Sequence, residues 1–142
     1  MRAYAVIDTN VLVSSLLSRN GDAATVQVVR RALVGDIVPV YSAEVMDEYR
    51  EVLSRPKFRL TAETVSYLLR AIERFGMLVE TEPSGAVLPD ILDVPFYEVA
   101  METRDEGSYL VTGNGRHFPN VPFVVTPREM LDILDVANQL PQ

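Results

Sequence analysis

The stretch Arg2-Ala3-Tyr4-Ala5-Val6-Ile7-Asp8-Thr9-Asn10 decides how the rest of the chain is read. A short apolar run fits a buried strand, and Asp8, Thr9 and Asn10 are residue types that end strands and begin helices. Helical spacing takes over from Val11 to Leu17 and again from Ala23 to Val34, with Arg19-Asn20-Gly21-Asp22 as the break. The next β-branched run, Ile37 to Tyr41, is thus a second strand reached through helices, which is how parallel strands are connected.

The same alternation continues toward the C-terminus. Ser42 can cap a helix running through Val45, Met46, Tyr49 and Leu53 until Pro56 stops it, and Thr61 can cap another that ends at Gly76. Met77 to Val79 reads as a strand, and Glu80 to Pro95, with three prolines and a glycine, as a long loop. Phe96 to Glu106 reads as a helix closed by Gly107, Tyr109 to Val111 and Phe123 to Val125 as strands, and Arg128 to Ala137 as the last helix. The pattern predicts an α/β fold: a three-layer α/β/α sandwich around a central, mostly parallel sheet. At 142 residues, 48% of them hydrophobic, the chain suits one domain.

Composition removes several function classes. There is no cysteine, so neither a disulfide framework nor a thiolate zinc site can form. The net charge of -7 opposes nucleic-acid binding by bulk electrostatics, so a polyanion has to be recruited locally or through bound cations. Lys57 is the only lysine, which leaves no other position for a catalytic one. His117 is the only histidine, and no Ser-His-Asp or Cys-His set can be assembled around it. The apolar start is cut short by Asp8, so no signal peptide or membrane span is expected and the protein is expected to be cytoplasmic.

In parallel α/β sheets ligands collect beyond the carboxyl ends of the strands. Asp8 follows the first strand, Glu48 lies on the helix after the second, Asp93 precedes the helix leading to Tyr109, and Thr112-Gly113-Asn114 follows that strand. Carboxylates converging at one edge repel each other, and Mg²⁺ or Mn²⁺ on oxygen ligands resolves the repulsion. Each residue also has a plainer use. Asp8 can cap the helix near Val11, Glu48 can pair with Arg55 on an exposed face, and either Asp90 or Asp93 can cap the following helix. Thr9, Asn10 and Thr112 can orient Asp8 or merely cap and turn the chain.

Asp8-Thr9-Asn10, Glu48-Tyr49, Asp93 with Phe96 and Ala100, and Leu110-Val111-Thr112-Gly113-Asn114 together, in this order, resemble a PIN domain. Leu53-Ser54-Arg55-Pro56-Lys57-Phe58 is similar to a stretch common in the toxin subfamily of these proteins. The resemblance implies that residues 1–142 form a single PIN-like domain. It also implies a metal-dependent endoribonuclease that cleaves RNA with one or two Mg²⁺ or Mn²⁺ ions. Often such a chain is the toxin half of a VapC-like toxin–antitoxin pair, with a small antitoxin protein as partner and a homo-oligomer, a dimer for instance, as its assembled form. Asp8, Glu48 and Asp93 match three acidic ligand positions. The fourth is usually aspartate and here is Asn114, followed by His117-Phe118-Pro119 as in a recognised subgroup. One negative charge fewer favours a single tightly held ion over two.

Arg55, Lys57 and Arg116 are candidates for RNA phosphate contacts, Arg116 first because it lies just past Asn114. Two other functions compete. A phosphotransfer domain also uses an aspartate after its first strand, but wants a second Asp two residues on or a lysine after a later strand, and this chain offers Asn10 and Lys57. A catalytically weak or inactive PIN-like module that binds RNA or protein is the other alternative, and Asn114 favours it.

Overall fold

The structure, a computed structural model, describes residues 2–139. β1 (Ala3–Ile7) leads directly into α1 (Thr9–Leu17) and α2 (Ala24–Val34), and β2 (Ile37–Tyr41) into α3 (Ala43–Leu53) and α4 (Ala62–Phe75). β3 (Met77–Leu78) follows, then an irregular stretch, α5 (Val94–Glu102), β4 (Tyr109–Val111), β5 (Val124–Val125) and α6 (Pro127–Gln139). The five strands form one sheet of order β3-β2-β1-β4-β5, with all four pairings parallel. The layers are those of the expected α/β/α sandwich. α5 packs across β1, β2 and β4, while α2 is backed by α4 and α6.

Local chemistry explains most boundaries. The Ser42 hydroxyl accepts the Val45 N–H at 3.2 Å and the Thr61 hydroxyl accepts the Thr64 N–H at 3.1 Å, so both expected caps are in place. α6 starts one residue earlier than its apolar spacing suggested. Thr126 and Glu129 cap it reciprocally, the Glu129 carboxylate accepting the Thr126 N–H at 2.9 Å and the Thr126 hydroxyl the Glu129 N–H at 3.1 Å.

Two expected boundaries are corrected. The loop read as reaching Pro95 ends sooner: Ile91–Asp93 is a 3₁₀ turn, and α5 begins at Val94, because proline is tolerated in the first turn of a helix, where its missing N–H has no partner to lose. α5 also stops at Glu102 instead of Glu106. There the Thr103 hydroxyl donates to the Val99 carbonyl and lies 2.7 Å from the Ser108 hydroxyl, which donates to the Ala100 carbonyl. These two buried hydroxyls fasten the end of α5 to the start of β4.

Gly76 is required for a steric reason. A Cβ at this position would collide with the carbonyl oxygens of Ile72 and Pro39, so α4 can close onto β2 this tightly only through glycine. The strand order fixes where a site can form. β2 and β4 flank β1 while their connections run in opposite directions, which opens a crevice at the carboxyl end of β1.

Candidate functional site

Asp8 sits at that crevice. Its N–H donates to the Val111 carbonyl at 2.9 Å, extending the β1–β4 ladder, and its carbonyl accepts the Val11 N–H at 3.0 Å, starting α1. The backbone of Asp8 therefore begins the helix, whereas its side chain makes no capping bond. The carboxylate instead accepts the Thr112 hydroxyl at 2.7 Å and the Thr9 N–H. It is only 6% exposed, and burial lifts its pKa from 3.8 to about 6. The Thr112 bond opposes that rise, the negative charge of Asp93 adds to it, and Thr9 and His117 oppose it.

Asp90 and Asp93 make different hydrogen bonds. The Asp90 carboxylate accepts the Leu92 N–H at 2.9 Å and so caps the 3₁₀ turn. Asp93, with no capping bond, places a carboxylate oxygen 3.0 Å from His117 Nδ1. Its pKa is raised by burial and by the charge of Asp90, against the hydrogen bond from His117. Glu48, half-buried on α3, is raised by burial first and then by Glu51, Asp90 and Asp93, with Arg55 opposing. Its side chain makes no hydrogen bond or ion pair among the described residues. Arg55 is taken by Glu51, through contacts of 3.2 and 2.7 Å, so the pairing with Glu48 that the sequence allowed does not form.

An apolar floor aligns the elements carrying these acids. Tyr49, next to Glu48, is fully buried and donates its hydroxyl to the carbonyl of Ile7, the residue before Asp8. Phe96, one helical turn past Asp93, meets the Tyr49 ring at a centroid distance of 5.9 Å. Burying each ring contributes about 2–3 kcal/mol, and the pair ties α3 and α5 to the end of β1. Burial and the nearby Asp8 charge also push the Tyr49 phenol well above its ordinary range, so it remains a neutral donor.

The segment after β4 closes the site. The Thr112 hydroxyl, which donates to Asp8, accepts the Asn114 N–H at 2.9 Å, and Asn10 Oδ1 accepts the Gly113 N–H at 3.4 Å. Asn10 thus braces the loop and not Asp8. Thr9 supports Asp8 through its backbone, while its hydroxyl is buried without a partner. Asn114 is exposed, with Arg116 and His117 along a recess of about 670 Å³. Lys57 lies over the Phe58 ring, 5.1 Å from its centroid, at the far end of α3. His117, marked in the sequence as the lone histidine and as part of His117-Phe118-Pro119, takes a place the sequence does not signal, against Asp93.

These donors suit a hard divalent cation: they are oxygens, acidic in excess, with carboxylates whose pKa values are raised above the ordinary range. The unpartnered Thr9 hydroxyl beside Asp8 is a further oxygen with unused capacity. No three Asp, Glu or His side chains among the described residues stand at coordinating distance as a group. Asp8 and Glu48 each feel the charge of Asp93 at the longer range of Coulomb coupling. No curated protein matches the chain. The PIN domain family matches residues 4–116, and the chain belongs to this family, whose members are nucleases that generally depend on divalent metal ions.

Proposed function

We propose that this PIN domain is a Mg²⁺- or Mn²⁺-dependent endoribonuclease, with residues 1–142 acting as one catalytic domain. The observation that carries the reading is the set of three acids, Asp8, Glu48 and Asp93, each with a raised pKa, at the crevice beside β1. Asp8, Asp93 and Glu48 would hold the ion, with the Asn114 amide oxygen as an uncharged fourth donor. A divalent ion bound there supplies Lewis-acid charge for the phosphoryl oxygens and the attacking water.

The chain's own residues prepare that step. Thr112 and the Thr9 N–H fix the direction of the Asp8 carboxylate, and burial at this edge keeps competing water from it. Arg116, exposed on the loop, would offer a charge to the backbone phosphate of an approaching RNA, Lys57 would add a second, and Arg55 would do so only by leaving Glu51. In a protein of charge -7, such local contacts and the ion itself provide the attraction for RNA.

The test is cleavage of RNA by the purified chain. Activity should require Mg²⁺ or Mn²⁺, stop with EDTA and be lost in Asp8→Asn while the fold is kept; cleavage that persists in that variant refutes the assignment. An acyl phosphate on Asp8 would reveal phosphotransfer. The exposed position of Asn114 favours a second reading, an inactive RNA-binding module, which retention of RNA without turnover at any metal concentration would establish.

The toxin role is part of the same proposal. Leu53-Ser54-Arg55-Pro56-Lys57-Phe58 supports it, as does an apolar groove of about 560 Å³ between α1, α2 and α4, lined by Leu16, Val29, Leu33, Tyr67 and Leu68, which suits a helix of a small antitoxin. Exposed Tyr67 and Phe75 on α4 offer apolar surface for a homodimer. Expression in the cytoplasm should arrest growth, and Asp8→Asn should not.

A further inference from the structure

Two of the three acids in the crevice are hydrogen-bonded from a single segment. Thr112 donates to Asp8 at 2.7 Å, and His117, five residues on, reaches Asp93 at 3.0 Å. The backbone of that segment is itself braced, by Asn114 N–H on the Thr112 hydroxyl and Gly113 N–H on Asn10. Glu48 receives no such support among the described residues. The segment thus contacts carboxylates from two other parts of the chain at the position where Asn114 brings no charge.

We infer that His117 is a positioning residue: its Nδ1–H holds the Asp93 carboxylate in the orientation needed to bind the cation, so the loop after β4 contributes orientation where it lacks a fourth acid. An ionised carboxylate only accepts hydrogen bonds, which assigns the proton of the contact to Nδ1. Asp93 caps no helix, so among the described residues this contact is the one hydrogen bond of its side chain. The Asp93 side chain is 13% exposed and that of His117 42%, so the contact joins a largely buried carboxylate to a more exposed imidazole. Groups that orient metal-binding carboxylates typically change metal affinity by about 10- to 100-fold when removed. His117 does not touch the substrate in this role and donates no proton to it.

The inference rests on the proposed cation site, and the experiment separates the two. Mn²⁺ binding to the full chain is followed by the loss of the free-ion electron paramagnetic resonance signal, for the parent, His117→Ala and His117→Asn. Asn can place its Nδ2 donor close to where Nδ1 lies. His117→Ala should bind Mn²⁺ about tenfold or more weakly, and His117→Asn should recover most of that loss. In an Asp93→Ala background, His117→Ala should cost nothing further. Independently of metal, ¹⁵N correlation spectra of the imidazole should show an Nδ1–H tautomer that is lost in Asp93→Ala. Equal Mn²⁺ affinity of parent and His117→Ala overturns the positioning role alone. A parent chain that binds no Mn²⁺ overturns it together with the cation site, and an Nε2–H tautomer in the parent overturns the contact itself.

Discussion

Replacing Asp8 by Asn should make the metal-free protein more stable at pH 8, although it removes the central acid of the site. In the folded chain the Asp8 carboxyl titrates at about 6, against 3.8 ordinarily. The folded state therefore holds a proton more tightly than the unfolded state. Asp8 favours folding below pH 4, and this contribution is lost as pH rises to about 6 and beyond. At 1.36 kcal/mol per pH unit the displacement amounts to roughly 3 kcal/mol of destabilisation by the ionised form. Asn is nearly the same shape, carries no charge and keeps an oxygen that can accept the Thr112 hydroxyl.

For 142 residues the unfolding entropy is about 0.3 kcal/mol per degree, so the metal-free variant should melt roughly 10 °C above the parent at pH 8. The assay is thermal and urea unfolding of both proteins in EDTA from pH 4 to 8. The gap should close as the buffer is taken below pH 6, because Asp8 is then protonated in the folded parent. Adding Mn²⁺ at pH 8 should reverse the order, since the parent gains binding free energy that the variant lacks. A variant no more stable than the parent at pH 8, or a gap that does not change with pH, would refute the reasoning.

Other substitutions test the scaffold. Gly76→Ala should lower stability by about 2–4 kcal/mol in urea, because a Cβ meets the carbonyls of Ile72 and Pro39; a loss under 1 kcal/mol would show that α4 can shift off β2. Tyr49→Phe should cost about 1–2 kcal/mol, the price of the bond to the Ile7 carbonyl, and slow RNA cleavage by misaligning α3; unchanged stability would mean that the hydroxyl holds nothing. Thr112→Val removes the donor that opposes the rise of the Asp8 pKa, so the acidic limb of the Mn²⁺-dependent rate should move to higher pH. An unmoved limb would separate Asp8 from that rate.

The sequence showed the fold best where burial wrote a long pattern. β1 and β2 are five residues each, apolar and followed by capping residues, so both strands and the crevice beside them could be placed. β3 and β5 have two residues each, too few for any period, and were bounded only by the helices around them. Pro95 hid the start of α5, since the same residue stops a helix when it is internal and begins one when it is in the first turn. The capping box at Thr126 and Glu129 is legible in its spacing and sets the start of α6 one residue ahead of the apolar period. The Glu51–Arg55 pair, four apart with the acid first, joins α3 to the residue just past its C-cap Ser54, where helical spacing no longer applies.

Contacts between distant segments were a different matter. Spacing to Phe96 and Ala100 points to Asp93 over Asp90 as a site residue, and in the structure Asp90 caps the 3₁₀ turn. Nothing in the spacing brings His117 to Asp93, 24 residues earlier, because that contact depends on the path of the loop after β4. The three acids consequently differ in kind. Asp8 is buried and fixed by β1, Asp93 is held from one side, and Glu48 rides on a helix whose neighbour Tyr49 is anchored while its own carboxylate is not. A cation entering the crevice would therefore meet Asp8 and Asp93 already oriented, and only Glu48 would lose side-chain freedom on binding, a cost of up to about 2 kcal/mol. If the proposed cation binds at Asp8, part of its binding free energy would be relief of the cost of ionising that buried carboxyl, and folding and metal affinity would be coupled through the same residue.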